Sequence, residues 1–133
     1  MSYVAAYVCA MLVFVALDAV WLTVMGSRLY KPVLGDLLAA KPDVPAAIAF
    51  YLIYGLGVTI LAIGPGLKDG SGARAAMNGA VLGLVAYATY DLTNQATLRT
   101  WSIKLTLADI AWGMVLTALA AYAGWQGARL IAR

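Results

Sequence analysis

Four long apolar stretches, joined by short polar connections, occupy almost the whole of this 133-residue chain. A helix needs about 20 apolar residues to cross the hydrocarbon of a bilayer. Hydrophobic residues make up 64% of the chain, charged residues 11%, and the mean hydropathy is +0.86. This composition is typical of integral membrane proteins. We therefore predict an all-α polytopic membrane protein with four transmembrane helices in an antiparallel bundle, folded as one domain over residues 1–133.

The ends of the spans follow from the polar connections. Gly64, Pro65 and Gly66 indicate the end of the second span, because proline and glycine disfavour the interior of a helix. The predicted spans cover about residues 3–25, 45–65, 74–98 and 105–130. Gly79 and Gly83 form a small-xxx-small pair in the third span, which favours close approach to a neighbouring helix.

The longest connection follows the first span. Residues 29–40 favour a short amphipathic helix at the membrane interface, although Pro32 and Gly35 disfavour a regular one. Tyr30, flanked by basic residues, is predicted to anchor this segment at the lipid headgroups.

The composition also excludes several classes of site. The chain has no histidine and a single cysteine, Cys9. The lack of histidine excludes Ser-His triads and the usual zinc and haem ligands. The formal charge of +3 is spread over the loop ends, whereas a nucleic-acid site needs a clustered basic patch. We therefore expect no cofactor, no metal and no nucleic-acid partner, and an enzymatic role is open but disfavoured.

A polar stretch interrupts the third apolar run. Between Tyr87 and Thr97 it brings an acid, Asp91, together with hydroxyls and amides at membrane depth. Such groups are costly in hydrocarbon, and an ionisable one there indicates a functional site with a partner nearby. At 100° per residue, the Gly79 and Gly83 stripe continues through Ala86, Tyr90, Thr93, Asn94 and Thr97. These polar groups are therefore predicted to point into the bundle.

Acidic residues of three spans are predicted to meet at one depth. Because successive spans alternate in direction, the first and third connections lie on the same side of the membrane. At about 1.5 Å per residue, Asp18, Asp91 and Asp109 then lie roughly 5–12 Å inside that face, together with Tyr51. Three carboxylates at one level cannot all stay charged, so some of them are expected to be protonated unless a cation or a basic side chain joins them. The predicted basic partners, which flank the same side, are Arg28, Arg99 and Lys104.

Two of these acids belong to a repeated pattern. Asp18 precedes Trp21 by three residues in the first span, and Asp109 precedes Trp112 in the fourth. This spacing puts the acid and the indole on the same helix face. An indole N–H is a donor for a carboxylate, and the ring is predicted to shield the pair from lipid.

Three segments resemble a family of small bacterial membrane proteins catalogued as domain of unknown function 2177. They are Leu17-Asp18-Ala-Val-Trp21-Leu22, Tyr87-Ala-Thr-Tyr90-Asp91-Leu-Thr93-Asn94-Gln95-Ala-Thr97-Leu98 and Asp109-Ile-Ala-Trp112-Gly113. The resemblance covers essentially the whole chain. It implies a small multi-span protein of the bacterial inner (cytoplasmic) membrane and supports the choice of these residues, but it brings no activity.

The favoured function is a polar intramembrane pocket that binds a small or amphipathic ligand. The acids are predicted to hold a proton or a cationic group, and the aromatic and amide side chains to orient the ligand. The predicted ligand-binding or proton-coupling residues are Asp18, Trp21, Tyr51, Tyr54, Tyr87, Tyr90, Asp91, Thr93, Asn94, Thr97, Asp109 and Trp112. The predicted partners are the lipid bilayer, such a ligand and a second copy of the chain.

Three other interpretations stay open at this point. The first is a proton- or cation-coupled small transporter that acts as a homodimer. The second is a lipid-modifying enzyme with Asp91 or Asp109 as general acid/base or metal ligand. The third is a structural subunit in which the polar groups hold the helices together, each contributing about 1 kcal/mol or less.

Overall fold

The computed structural model describes residues 1–133, which are almost entirely helical and contain no β-strand. The α-helices are α1 (Ser2–Met25), α2 (Lys31–Leu34), α3 (Val44–Gly57), α4 (Gly64–Lys68), α5 (Gly72–Thr97) and α6 (Ile103–Ile131). Two π-helical segments, Gly26–Tyr30 and Val58–Ile63, and a 3₁₀ turn, Gly35–Leu37, join some of them. The predicted all-α class is confirmed.

Three continuous segments have the length and apolar composition to cross a membrane: Ser2–Leu37, Val44–Lys68 and Ile103–Ile131. The fourth long helix, α5, is 26 residues long and contains the polar stretch, which lowers its hydropathy. It packs against α6 along most of its length, with Gly83 against Gly113 and Gly79 against Thr117. Since the residue numbers run in opposite directions along this contact, the two helices are antiparallel, as predicted for the bundle.

Short polar side chains mark where three of the long helices begin. The side chains of Asp43, Ser71 and Ser102 accept hydrogen bonds from the backbone N–H groups three residues later, at 3.1, 3.1 and 3.2 Å. Each bond satisfies an N–H group that has no partner inside the helix. These caps define the first residues of α3, α5 and α6.

The close approach predicted for Gly79 and Gly83 is present. A Cβ atom added to Gly83 would lie 2.2 Å from the carbonyl oxygen of Gly113, and one added to Gly79 would lie 2.7 Å from that of Thr117. Since neither position has room for a side chain, the α5 and α6 backbones touch. Helix α6 is also the centre of the bundle, because α1 packs on its other side, where Gly124 meets Ala6.

Both π-helical segments end two residues before a proline. The segment Gly26–Tyr30 precedes Pro32, and Val58–Ile63 precedes Pro65. A proline lacks the amide N–H, and its ring clashes with the carbonyl four residues earlier, whereas the wider π turn moves that carbonyl aside. The helix therefore continues through Pro65 to Lys68 instead of ending at Gly64.

The first connection differs from the predicted amphipathic helix. The helical path that begins in α1 continues through the first π segment and α2, and its α-helical part ends at Gly35, whose φ of +49° is in the left-handed region. Leu29 and Leu34 then pack against Leu105 at the start of α6. The connection is thus folded against the end of the bundle, beside the acidic residues.

Candidate functional site

Asp18 is buried and receives hydrogen bonds from two other helices. The Tyr51 hydroxyl of α3 donates to Oδ2 at 2.6 Å, and the Trp112 indole N–H of α6 donates to Oδ1 at 3.3 Å. Three of the predicted site residues therefore meet around one carboxyl group. The contact links α1, α3 and α6 at the level of the predicted site.

Asp109 accepts a hydrogen bond from Tyr30, which is not among the predicted site residues. The Tyr30 hydroxyl donates to Oδ1 of Asp109 at 2.5 Å and accepts a hydrogen bond from the Trp21 indole N–H at 2.8 Å. The prediction of Tyr30 as a headgroup anchor is therefore wrong. Its position in the first π segment turns the hydroxyl toward the bundle, and no periodicity in the sequence indicates this.

The two acid–indole motifs are crossed. Trp112 donates to Asp18 rather than to Asp109, and Trp21 reaches Asp109 through Tyr30. Because α1 and α6 are antiparallel, a spacing of three residues puts each indole opposite the acid of the other motif. The two rings stack with centroids 4.6 Å apart and 4° between their planes.

Asp91 is the most isolated acid of the structure. It is 0% exposed, and neither carboxyl oxygen receives a hydrogen bond from an N–H or hydroxyl group. Its polar neighbour across the α5–α6 contact is the carboxyl group of Asp109. Two neighbouring carboxylates repel each other, and their burial adds the cost of desolvation. The pair is therefore a place where a proton or a cation is needed.

The predicted basic partners of the acids are not in contact with them. The ion pair of the structure joins Arg74 and Asp69, at the other end of the bundle. The side chains of Arg28, Arg99 and Lys104 are exposed at the connections instead. Moving these cations inward would remove them from water, whereas tyrosine and tryptophan donors already lie beside Asp18 and Asp109.

The three acids also do not form one cluster. Asp91 and Asp109 are neighbours, while Asp18 has its own two donors. No group of three acidic or other metal-ligating side chains is close enough to hold a metal ion. The predicted convergence of acids from three helices therefore divides into a carboxyl pair and a separate hydrogen-bonded carboxyl group.

The polar stripe predicted on α5 is partly wrong. The buried row runs through Gly79, Gly83 and Asp91, with Tyr87 packed on Gly113, so it advances by four residues at each step. Residues four apart form one of the ridges by which helices pack, and this ridge faces α6. The predicted stripe, built with a rotation of 100° per residue, turns gradually away from this ridge.

Several predicted residues therefore point outward. Tyr90 is 57% exposed. The hydroxyls of Thr93 and Thr97 are exposed and donate to carbonyl oxygens of their own helix, at Thr89 and Thr93. Such bonds satisfy a hydroxyl at the surface without any partner from another helix. Asn94 is half-buried.

Two further sets of hydrogen bonds join α6 to its neighbours, one to α3 and one to α5. Tyr54 shares a hydrogen bond of 2.8 Å with Thr117 of α6. Near the third connection, the Trp101 indole N–H donates to the Thr106 hydroxyl at 2.9 Å, which donates to Oε1 of Gln95 at 2.7 Å. No sequence pattern indicates Thr106, Thr117 or Gln95 as site residues, since single hydroxyls and amides are common in packed helices.

A cavity of about 290 Å³ lies between α3, α5 and α6 beside the carboxyl pair. Its walls are aromatic and small side chains, and Asp109 is its acid. The lining residues are Phe50, Ala86, Tyr87, Tyr90 and Asp109. Phe50 is 46% exposed and Tyr90 57%, so the cavity opens sideways at the outer surface of the bundle.

Comparison with known proteins gives a family for the chain. The profile of a family described as predicted membrane protein (DUF2177) matches residues 3–126. No curated protein matches the sequence. No solved structure matches the fold.

Proposed function

The chain belongs to the DUF2177 family of predicted membrane proteins, and we propose that it binds a small amphipathic ligand with an ammonium group in the cavity lined by Asp109. The proposal includes a location in the bacterial inner membrane, which the sequence resemblance implies. The observation that carries it is the position of Asp109, a buried acid without a basic partner, in the wall of an aromatic cavity.

Asp91 and Asp109 are buried acids that form no ion pair within the chain. Unpaired buried carboxylates are strongly unfavourable, and a nearby cation offsets this cost. Since no lysine or arginine of the chain pairs with Asp91 or Asp109, the positive charge comes from a proton or from a bound cation, and the aromatic cavity beside Asp109 favours the cation. One oxygen of Asp109 is bonded to Tyr30, which leaves the other for an ammonium group.

The walls of the cavity fit the same chemistry. Phe50, Tyr87 and Tyr90 surround the space beside the acid, and aromatic faces attract ammonium cations, most strongly when these are desolvated. A volume of about 290 Å³ suits a small head group or a single-ring ligand rather than a large drug-sized molecule. The cavity therefore favours a compact cation with an apolar body.

The sideways opening supports an amphipathic ligand. The exposed parts of Phe50 and Tyr90 belong to the surface that faces lipid in a membrane-embedded bundle. A ligand dissolved in the bilayer would reach the cavity from there without crossing the packed core, while its charged group turns toward Asp109.

The test compares a charged probe with a neutral molecule of the same shape. Benzyltrimethylammonium and neopentylbenzene are titrated against the purified protein and the variants Asp109→Asn and Asp36→Asn. We expect the wild type to bind the cation about tenfold or more tightly than the neutral molecule, a difference of about 1.4 kcal/mol. Asp109→Asn should remove this preference, and Asp36→Asn, which changes an exposed acid, should retain it. Equal binding of both probes by all three proteins would refute the proposal.

A second candidate is a proton- or cation-coupled transporter that acts as a homodimer. The burial of Asp91 without a donor favours it, because intramembrane acids in such positions serve as proton carriers in pumps and transporters. In proteoliposomes this candidate predicts proton uptake driven by the substrate, abolished by Asp18→Asn and by Asp91→Asn. Binding of benzyltrimethylammonium without such proton uptake would support the binding function and refute the transporter.

A further inference from the structure

A second cavity lies at the end of the bundle opposite the acidic residues. It is a groove of about 870 Å³ to which α1, α4, α5 and α6 all contribute. Three cationic side chains, Lys68, Arg74 and Arg129, line it, with one acid, Asp69. The groove is therefore a positively charged site at the level where a bilayer has its headgroups.

The three cations differ in what already binds them. Arg74 pairs with Asp69 at 3.3 Å. Lys68 has no ion-pair partner, and the guanidinium carbon of Arg129 lies 4.9 Å from the centroid of the Trp125 ring. Two of the three positive charges are thus available to an anion.

Arg129 is held in place by a fixed aromatic side chain. The Trp125 indole N–H donates to the carbonyl oxygen of Gly66 at 3.1 Å, and the ring packs against Gly72, where no side chain would fit. Because Trp125 is buried and fixed by α4 and α5, the guanidinium stacked on it has a defined position. A cation held in this way loses less conformational entropy when it binds an anion.

The groove also has an apolar flank. Ile60, which is 64% exposed, lies in the second π segment, eight residues before Lys68. Eight residues of helix correspond to about 12 Å toward the middle of the bilayer. A site with cations at the interface and an exposed aliphatic side chain below them has the layout of a phospholipid, whose phosphate lies above its acyl chains.

We propose that this groove binds an anionic glycerophospholipid, with Lys68 and Arg129 at the phosphate and Ile60 along an acyl chain. Arg74, which is shared with Asp69, closes the side of the site. Ser2 and Tyr3 also line the groove, and their hydroxyls are further donors for the headgroup. This site is independent of the acid-lined cavity, which lies at the other end of the helices.

The experiment is native mass spectrometry of the full chain in detergent, titrated with phosphatidylglycerol or phosphatidylcholine. The double variant Lys68→Gln/Arg129→Gln removes the two available charges. The double variant Arg99→Gln/Lys104→Gln removes two exposed charges at the other end and is the matched control. We expect the wild type and the control to retain phosphatidylglycerol at least several-fold more than phosphatidylcholine, and the groove variant to bind it about tenfold more weakly.

Three outcomes would overturn the proposal. Equal retention of the two lipids by the wild type would show that the groove does not select for the charge of the lipid. Equal loss of phosphatidylglycerol in both double variants would show that retention depends only on the net charge of the protein. Displacement of phosphatidylglycerol by millimolar inorganic phosphate would assign the groove to a free phosphate instead of a lipid. Circular dichroism checks that each variant is folded. If Arg129→Gln disturbs Trp125, the loss of phosphatidylglycerol binding is measured instead in the single variant Lys68→Gln, which changes an exposed residue without an ion-pair partner.

Discussion

Trp21 and Trp112 stack face to face at 4.6 Å although each belongs to a motif on a different helix. Each indole also supplies a hydrogen bond toward the acid of the other motif, directly to Asp18 and through Tyr30 to Asp109. The stack therefore fixes the register of α1 against α6 and orients the donors of two buried acids at once. This coupling makes the two motifs one unit.

The stack can be tested with a double-mutant cycle. Trp21→Ala and Trp112→Ala should each destabilise the fold, and the double variant should lose less than their sum. An offset or stacked aromatic pair contributes about 0.5–1.5 kcal/mol beyond its buried area. Thermal unfolding in detergent gives the coupling energy. Strict additivity of the two losses would show that the rings are neighbours without a direct interaction.

Replacing Tyr30 by phenylalanine should destabilise the protein by about 1–3 kcal/mol. The change removes the donor to Asp109 and the acceptor for Trp21, and it leaves buried polar groups without partners. Tyr3→Phe is the control, because this exposed tyrosine makes no hydrogen bond to another residue. A Tyr30→Phe variant as stable as Tyr3→Phe would mean that water replaces the hydroxyl.

Gly83→Ala should separate α5 from α6. The added Cβ would lie 2.2 Å from the Gly113 carbonyl oxygen, so the backbones must move apart, at a cost of about 1–3 kcal/mol. Gly57→Ala is the matched control, since nothing lies within 4 Å of a Cβ there. It should be neutral or slightly stabilising, because alanine favours a helix more than glycine does. Similar melting temperatures for the two variants would argue against a tight α5–α6 contact.

Asp91→Asn should raise the thermal stability of the protein. The amide has nearly the same shape as the carboxyl group, and it replaces one of two neighbouring buried acids by a neutral group with an N–H donor. A hydrogen bond to a charged group contributes about 1.5–3 kcal/mol, less the cost of any rearrangement. Asp91→Leu, which brings no donor, separates this effect from loss of the acid alone. A lower melting temperature for Asp91→Asn than for the wild type would contradict the expectation.

The elements that depend on local chemistry were predictable from the sequence. The long apolar stretches and the short polar connections between them indicated the helices, and Gly79 with Gly83 indicated the close contact. The position of Asp18 near Tyr51 followed from the alternating direction of the spans and the rise per residue. These inferences need only periodicity and counting.

The partners of each acid depend on how the helices turn about their axes, and counting does not give this. The crossing of the acid–indole motifs requires the antiparallel register of α1 and α6. Thr93 and Thr97 point outward because α5 packs along a row of residues four apart, whereas the predicted stripe followed a rotation of 100° per residue. Tyr30 lay outside every predicted span, so no periodic pattern connected it with Asp109.

The first π segment gives Tyr30 a particular dependence on the backbone. A π turn holds about one residue more than an α turn, and each residue of a helix corresponds to a rotation of about 100° about the axis. Rewinding Gly26–Tyr30 into an ordinary α-helix would therefore swing the Tyr30 hydroxyl away from Asp109. The surplus residue acts as a spacer, through which the backbone conformation of Gly26–Tyr30 sets the hydrogen bonding of the buried Asp109.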